Sequence, residues 1–169
     1  MKKMFSVLSI FVAAAVLMGS AAFPSTALAM PAADPLDDAL AKAYQAEQQW
    51  LAQQQEHIAK LEQAAVKVQE LIDKAVAEGY DVSALQSALA AFNSSMTSAK
   101  AEYQTAADLL AAHNGFDDQG NVTDRQSARQ TLLNARQSLR QAHLTMSQAA
   151  MDLRQAVSDW RQANFPQGG

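Results

Sequence analysis

The chain has 169 residues, of which 49% are hydrophobic and 18% charged, and its net charge is −4. It contains no cysteine, which excludes disulfides, thiolate zinc sites and a thiol nucleophile. The length fits one domain that buries roughly two-thirds of its unfolded surface. The negative charge argues against nucleic acid as a partner, because binding phosphates requires basic patches on the protein.

The first thirty residues have the three parts of a secretory signal peptide. Two lysines are followed by an apolar run over 5–18 and by an A-x-A motif that ends at Ala29. The run is shorter than the ~20 apolar residues that span a bilayer. We expect cleavage after Ala29, with 1–29 as signal peptide and 30–169 as a single exported domain in the periplasm, the cell envelope or the medium. The alternative is an uncleaved segment that anchors the protein in the membrane.

Proline and glycine divide the rest of the chain into three long segments. Between residues 36 and 165 there is no proline, and glycine occurs only at positions 79, 115 and 120. The segments are rich in alanine, glutamine and leucine and poor in β-branched residues, a composition that favours helix. The sequence therefore predicts helices over 35–78, 82–113 and 123–164, joined by two short connections.

Several residues mark the ends of these helices. Gly79 can adopt the left-handed conformation just after the first helix. Ser83 with Gln86, and Thr123 with Gln126, have the spacing of capping boxes at the starts of the second and third helices.

Apolar residues recur at alternating spacings of three and four in the second and third segments, and less regularly in the first. In the second segment they are Val82, Leu85, Leu89, Phe92, Met96, Ala99, Tyr103, Ala106 and Leu110. A sustained repeat of this kind forms the seam of a coiled coil or a left-handed bundle. Because short connections make neighbouring helices antiparallel, the sequence predicts an all-α fold, an antiparallel up-down three-helix bundle.

The seams also predict how the helices align. With turns centred near residues 80 and 118, Val68, Phe92 and Ala142 share one layer, so that bulky residues face alanines. Glu47 and Gln54 interrupt the seam of the first helix. They indicate either a partly wet end of the bundle or a buried polar contact that fixes the alignment.

The three histidines are the candidates for imidazole chemistry. In this alignment His57, His113 and His143 are separated by steps of about ten residues, or roughly 15 Å, whereas ligands lie ~2 Å from a shared metal. The Glu-x-x-His pairs of di-iron bundles do not occur. We therefore expect no metal site and no cofactor.

The catalytic and calcium motifs that we sought do not occur. There is no G-x-S-x-G, Walker A or G-x-G-x-x-G sequence, and the carboxylates are distributed along solvent faces, so we expect no enzyme activity. If Gly120 is aligned with the EF-hand glycine, Gly115 and Gln126 fall at the first and last ligand positions, where carboxylates are needed. We interpret this loop as a helix connector.

Arginine and lysine are segregated along the exported part of the chain. After residue 29, every lysine lies between 42 and 100, and every arginine between 125 and 161. At about 100° per residue, the arginines fall within about 60° of one another on the third helix. They are Arg125, Arg129, Arg136, Arg140, Arg154 and Arg161. Two interpretations are open: charge pairing with the acidic first helix, or a stripe that binds an acidic partner.

Two pentads resemble the L-T-x-x-Q signature of small helical periplasmic chaperones. Val122–Gln126 reads VTDRQ, and Leu144–Gln148 reads LTMSQ. The first pentad has valine in place of leucine, and the second lies within a predicted helix instead of opening one. The resemblance implies a binder of unfolded envelope proteins.

Taken together, these patterns favour a secreted or envelope-associated, non-enzymatic helical bundle that acts as a structural or protein-interaction module. The expected partner is a protein, either a second copy or an envelope protein, and membrane contact is expected only through an uncleaved signal segment. The alternative is a chaperone-like binder that uses the arginine stripe and three flanking apolar residues, Leu133, Leu144 and Met151.

Overall fold

A computed structural model describes residues 34–165 as three α-helices. They are α1 (Pro35–Ala77), α2 (Ser83–Ala112) and α3 (Arg125–Asn164), and each of them contacts both others. The predicted all-α three-helix bundle is confirmed, and the predicted helix bounds differ by at most two residues. The predicted signal peptide and its cleavage site lie outside the described residues. Within 34–165, no helix has an apolar stretch long enough to cross a membrane.

The boundary between α1 and α2 follows the predicted glycine signal. Gly79 has a positive φ of 84°, and the Tyr80 amide donates to the Ala75 carbonyl at 2.9 Å. The Gly79 amide donates to the Val76 carbonyl at 3.0 Å. This pair of bonds is the Schellman motif, which satisfies carbonyls at the end of a helix.

Both predicted capping boxes are wrong, because in each case an amide at the start of the helix binds an aspartate side chain instead. The Asp81 side chain accepts from the Ser83 amide at 2.9 Å, so that Ser83 already belongs to α2. The Asp124 side chain accepts from the Ser127 amide at 2.7 Å. Thr123 stays outside α3, since its own amide donates to the Gly115 carbonyl at 2.9 Å.

An alanine repeat on α3 brings α2 and α3 together. Ala128, Ala135, Ala142 and Ala149 are seven residues apart and all are buried. Because an alanine side chain ends at Cβ, two helices that meet over alanines can pack closely. The contact between α2 and α3 is accordingly the most extensive in the bundle, and α1 packs against this pair less closely.

The predicted alignment of α3 with α1 is wrong. The Gln54 amide nitrogen donates to His143 Nδ1 at 3.3 Å, across a sequence separation of 89 residues. The predicted layer of Val68 with Ala142 corresponds to a separation of only 74. The difference of about 15 residues moves α3 by roughly 22 Å along the bundle.

Contacts of α2 locate the second turn. The Trp160 indole N–H donates to the Asp81 carbonyl at 2.7 Å, which centres the α2–α3 turn near residue 121. Phe92 consequently lines a groove together with Leu153, whereas the sequence had predicted Ala142 as its neighbour on α3. The apolar repeat has a period of seven, so shifts of α3 by about one heptad relative to α2 and about two heptads relative to α1 leave a similar pattern of large and small layers. The seams could therefore not distinguish the two alignments.

Candidate functional site

All six arginines of the predicted stripe are exposed on α3, and two of them pair with α1. The Arg125 guanidinium binds Asp37 through two hydrogen bonds of 2.6 and 3.0 Å, and it also contacts Asp34. These carboxylates raise the pKa of Arg125, that of Asp37 first. The pKa of Asp34 is lowered, first by the Leu36 amide and then by Arg125.

Arg136 binds a buried carboxylate. Glu47 has only 3% of its surface exposed, and its Oε1 accepts from Arg136 Nε at 2.6 Å. Its second oxygen, Oε2, has no hydrogen-bond partner among the described residues. Removing a carboxylate from water is costly unless it is paired, so this contact restricts which part of α3 can lie against Glu47. The interpretation of Glu47 as a buried polar contact agrees with this geometry.

The other four arginines make no ion pair within residues 34–165. They are Arg129, Arg140, Arg154 and Arg161. The structure therefore divides the predicted stripe: the pairing interpretation accounts for Arg125 and Arg136, and four guanidinium groups remain available to a partner.

A row of apolar side chains lies beside these arginines on the outer side of α3. Leu133, Leu144 and Met151 are 62%, 52% and 55% exposed. Separations of eleven and seven residues place them on one helix face, over about 27 Å. In the described residues α1 does not cover this row, so its three side chains are free to meet another surface.

The charge of α3 is opposite to that of the rest of the described chain. This helix carries six arginines against Asp152 and Asp159, whereas residues 34–124 carry five lysines against fifteen carboxylates. The α3 outer surface, defined here as Arg129, Leu133, Arg140, Leu144 and Met151, is therefore a basic and apolar strip on an otherwise acidic protein.

Two histidines that the sequence had placed far apart are neighbours. The ring centroids of His57 and His143 lie 6.0 Å apart, at an angle of 49°. The sequence reasoning missed this pair because its alignment of α3 was wrong. Burial lowers the pKa of His57, and the nearby His143 and Lys60 lower it further, since both disfavour a second positive charge.

The connection between α2 and α3 is ordered by its own hydrogen bonds. The Asp117 carboxylate accepts from the amides of Gln119 and Asn121 at 2.9 and 2.8 Å and from the Asn121 side chain at 3.0 Å. These bonds lower the pKa of Asp117, the bond from the Asn121 side chain most of all. The one carboxylate that fits the EF-hand alignment thus binds the loop itself.

Neither metal geometry nor similarity to known proteins assigns a function. Within residues 34–165, no three histidine, aspartate or glutamate side chains are grouped so that they could hold a metal ion. No family model matches the chain, and it has no significant match among curated proteins or solved structures. The exposed arginines and apolar residues of the α3 outer surface are therefore the basis of the function proposed below.

Proposed function

We propose that this chain is an exported or envelope-associated, non-enzymatic protein-interaction module that binds its partner through the α3 outer surface. The observation that carries the proposal is the exposed row of Leu133, Leu144 and Met151. It lies beside arginines that make no ion pair within residues 34–165. Single exposed apolar residues are normal on protein surfaces. An aligned row flanked by unpaired guanidinium groups is typical of a helix face that binds another protein.

The chemistry of the surface favours an acidic partner. A guanidinium group binds a carboxylate through two parallel hydrogen bonds, which gives orientation as well as affinity. Arg129 and Arg140 lie on the side of the row that faces α1, while Asp152 and Asp159 lie on the other side. A planar anionic membrane would meet both sides, including the acidic one. A partner helix or strand that places its carboxylates on one side matches the surface better.

The decisive experiment is a pulldown from the native envelope fraction with matched variants. We expect Arg129→Gln with Arg140→Gln, and separately Leu144→Glu, to lose the specific partner. The controls are Lys42→Gln with Lys67→Gln, which change the same amount of charge on α1, and Val66→Glu, which alters an apolar side chain that is 59% exposed on α1. Equal recovery of the partner by all of these variants would exclude the α3 outer surface.

The partner that binds the α3 outer surface could also be a second copy of this chain, and analytical sedimentation tests this case. If a second copy is the partner, Leu144→Glu should convert a dimer or larger species to a monomer, while Val66→Glu should not. Antiparallel pairing of two α3 helices would bring the arginines of both copies together, and this repulsion favours a different, acidic protein.

A chaperone-like role is the second candidate. It is favoured by the pentad Leu144–Gln148, because Leu144 is exposed within the α3 outer surface. A chaperone of this kind would suppress the aggregation of unfolded envelope proteins at stoichiometric amounts. Full suppression by the Leu144→Glu variant, or no suppression by the unmodified protein, would reject this role.

A further inference from the structure

The middle of α1 is only partly buried. From residue 59 to residue 71 no side chain is buried, although Ile58 and Ile72 on either side are. Ala64 and Ala65 lie in this stretch and line grooves on either side of α1. Because their side chains end at Cβ, they leave space between α1 and the closely packed α2–α3 pair.

The space on the α3 side is an apolar groove of about 220 Å³. Its walls are α1 and α3, and Phe92 of α2 contributes to its lining. We call it the α1–α3 groove, and its lining residues are Leu61, Ala64, Val68, Phe92, Ala150, Leu153, Arg154 and Val157. Apart from Arg154, all the residues that line the α1–α3 groove have hydrocarbon side chains.

Arg154 is exposed and makes no ion pair with any carboxylate of residues 34–165. The groove therefore combines an apolar floor with a single uncompensated positive charge. The complementary ligand has a hydrocarbon chain and one anionic head. We propose that the α1–α3 groove binds an anionic amphiphile with a single alkyl chain, such as a fatty carboxylate, with its head at Arg154 and its chain against Phe92 and Leu153.

The groove on the opposite side of α1 provides an internal comparison. It is larger, about 450 Å³, and it is also lined by Phe92. Its charged residues, Glu62 and Lys100, bind each other at 2.7 Å, so they leave no net charge for a ligand head. An anionic head group therefore finds an unpaired positive charge at the smaller groove and none at the larger one.

The volume of the groove limits the length of chain that it can hold. A methylene group occupies about the room of one water molecule, ~30 Å³, so roughly seven fit. Each buried methylene should tighten binding about fourfold. The affinity of the protein for straight-chain carboxylates should rise steeply up to about eight carbons and then level off.

Calorimetric titration of residues 30–169 with hexanoate, octanoate, decanoate and dodecanoate, each below its micelle concentration, tests this proposal. Octanol serves as the uncharged probe of matched chain length. Arg154→Gln should weaken octanoate binding about tenfold and leave octanol binding unchanged. The control is Arg161→Gln, which removes an exposed arginine from the same helix that does not line the groove.

A filling variant tests the location independently of charge. Ala64 is exposed, so Ala64→Phe can place a ring in the groove without disturbing a buried layer, and it should abolish octanoate binding. Ala59→Phe, at another exposed position of α1 outside the groove, should bind octanoate normally. Circular dichroism spectra that match the unmodified protein establish that both variants are folded.

Several results would overturn the inference. They are no binding of any carboxylate, binding that is independent of chain length, or equal binding by Ala64→Phe and Ala59→Phe. If Ala64→Phe instead dissociates an oligomer in sedimentation, a second copy occupies the groove and the ligand proposal fails. The variants Arg129→Gln and Arg140→Gln leave the groove intact, so loss of a protein partner and loss of amphiphile binding are distinguishable.

Discussion

Replacing Arg136 with methionine removes the partner of a buried carboxylate while preserving an unbranched side chain. Glu47 has a side chain that is only 4% exposed, whereas that of Arg136 is 58% exposed. Breaking a buried pair by removing one partner costs about 3–5 kcal/mol. Since the guanidinium is half in solvent, we expect the lower end, about 3 kcal/mol. For a chain of this size that corresponds to a decrease of roughly 12 °C in Tm.

The opposite substitution should be much less harmful. In Glu47→Met the Arg136 guanidinium is already largely solvated and loses little, and an apolar side chain occupies the α1 seam. We expect a change in the free energy of unfolding within about 1 kcal/mol. The double variant should lie close to Glu47→Met, because its buried site then holds no unpaired charge.

Urea and thermal unfolding followed by circular dichroism at pH 7 measure all three variants. Arg140→Met is the matched control, an exposed arginine without an ion pair, and it should change the free energy of unfolding by no more than about 0.5 kcal/mol. Equal costs for Arg136→Met and Glu47→Met would refute the reasoning, since the predicted asymmetry comes only from their unequal burial.

Two further predictions concern pH and the second turn. Because the folded protein lowers the pKa of His57 below 6.5, the unfolded chain binds the proton more readily, and stability should fall as the pH drops below about 6.5. In His57→Gln the urea midpoint should depend less on pH between 7.5 and 5.5, and an unchanged dependence would contradict this origin. Gly115→Ala should destabilise far more than Gly79→Ala. A Cβ at Gly115 would lie 2.1 Å from a backbone nitrogen of α3, whereas one at Gly79 would have no atom within 4 Å. Equal decreases in Tm for the two variants would contradict this explanation.

The fold could be predicted from local signals in the sequence. Long stretches without proline or glycine and regular apolar spacing identify three helices, and Gly79 marks the end of the first. These signals depend on neighbouring residues only, so they survive any error in how the helices align. The exact helix starts did not follow, because the first amides of α2 and α3 bind the side chains of Asp81 and Asp124 instead of those of Ser83 and Thr123.

The alignment of α3 could not be predicted from apolar residues, since a heptad pattern matches itself after each shift of seven. The polar residues carried the missing information. Glu47 and Gln54 are seven residues apart on α1, as are Arg136 and His143 on α3, and the structure joins the two pairs at the same separation of 89 residues. A search for polar partners would have identified both the alignment and the histidine pair.

The arginine stripe could be predicted as a set, because helical geometry places its members on one side of α3. Which members are free could not be predicted. That depends on the acidic residues of α1 that each one reaches, and hence on the alignment. Arg125 reaches Asp37 and Arg136 reaches Glu47, while Arg129 and Arg140 meet no carboxylate among the described residues.

The polar partners of α1 have a consequence for the order in which the molecule assembles. Its contacts with Arg125, Arg136 and His143 join positions about ninety residues apart, so α1 completes its docking only when α3 is in place. The α2–α3 hairpin, with its more extensive contact and its buried alanine repeat, can form earlier. Amide protons in the first half of α1 should therefore exchange with deuterium sooner than those around Ala135 and Ala142, and α1 should detach as a unit before the hairpin unfolds.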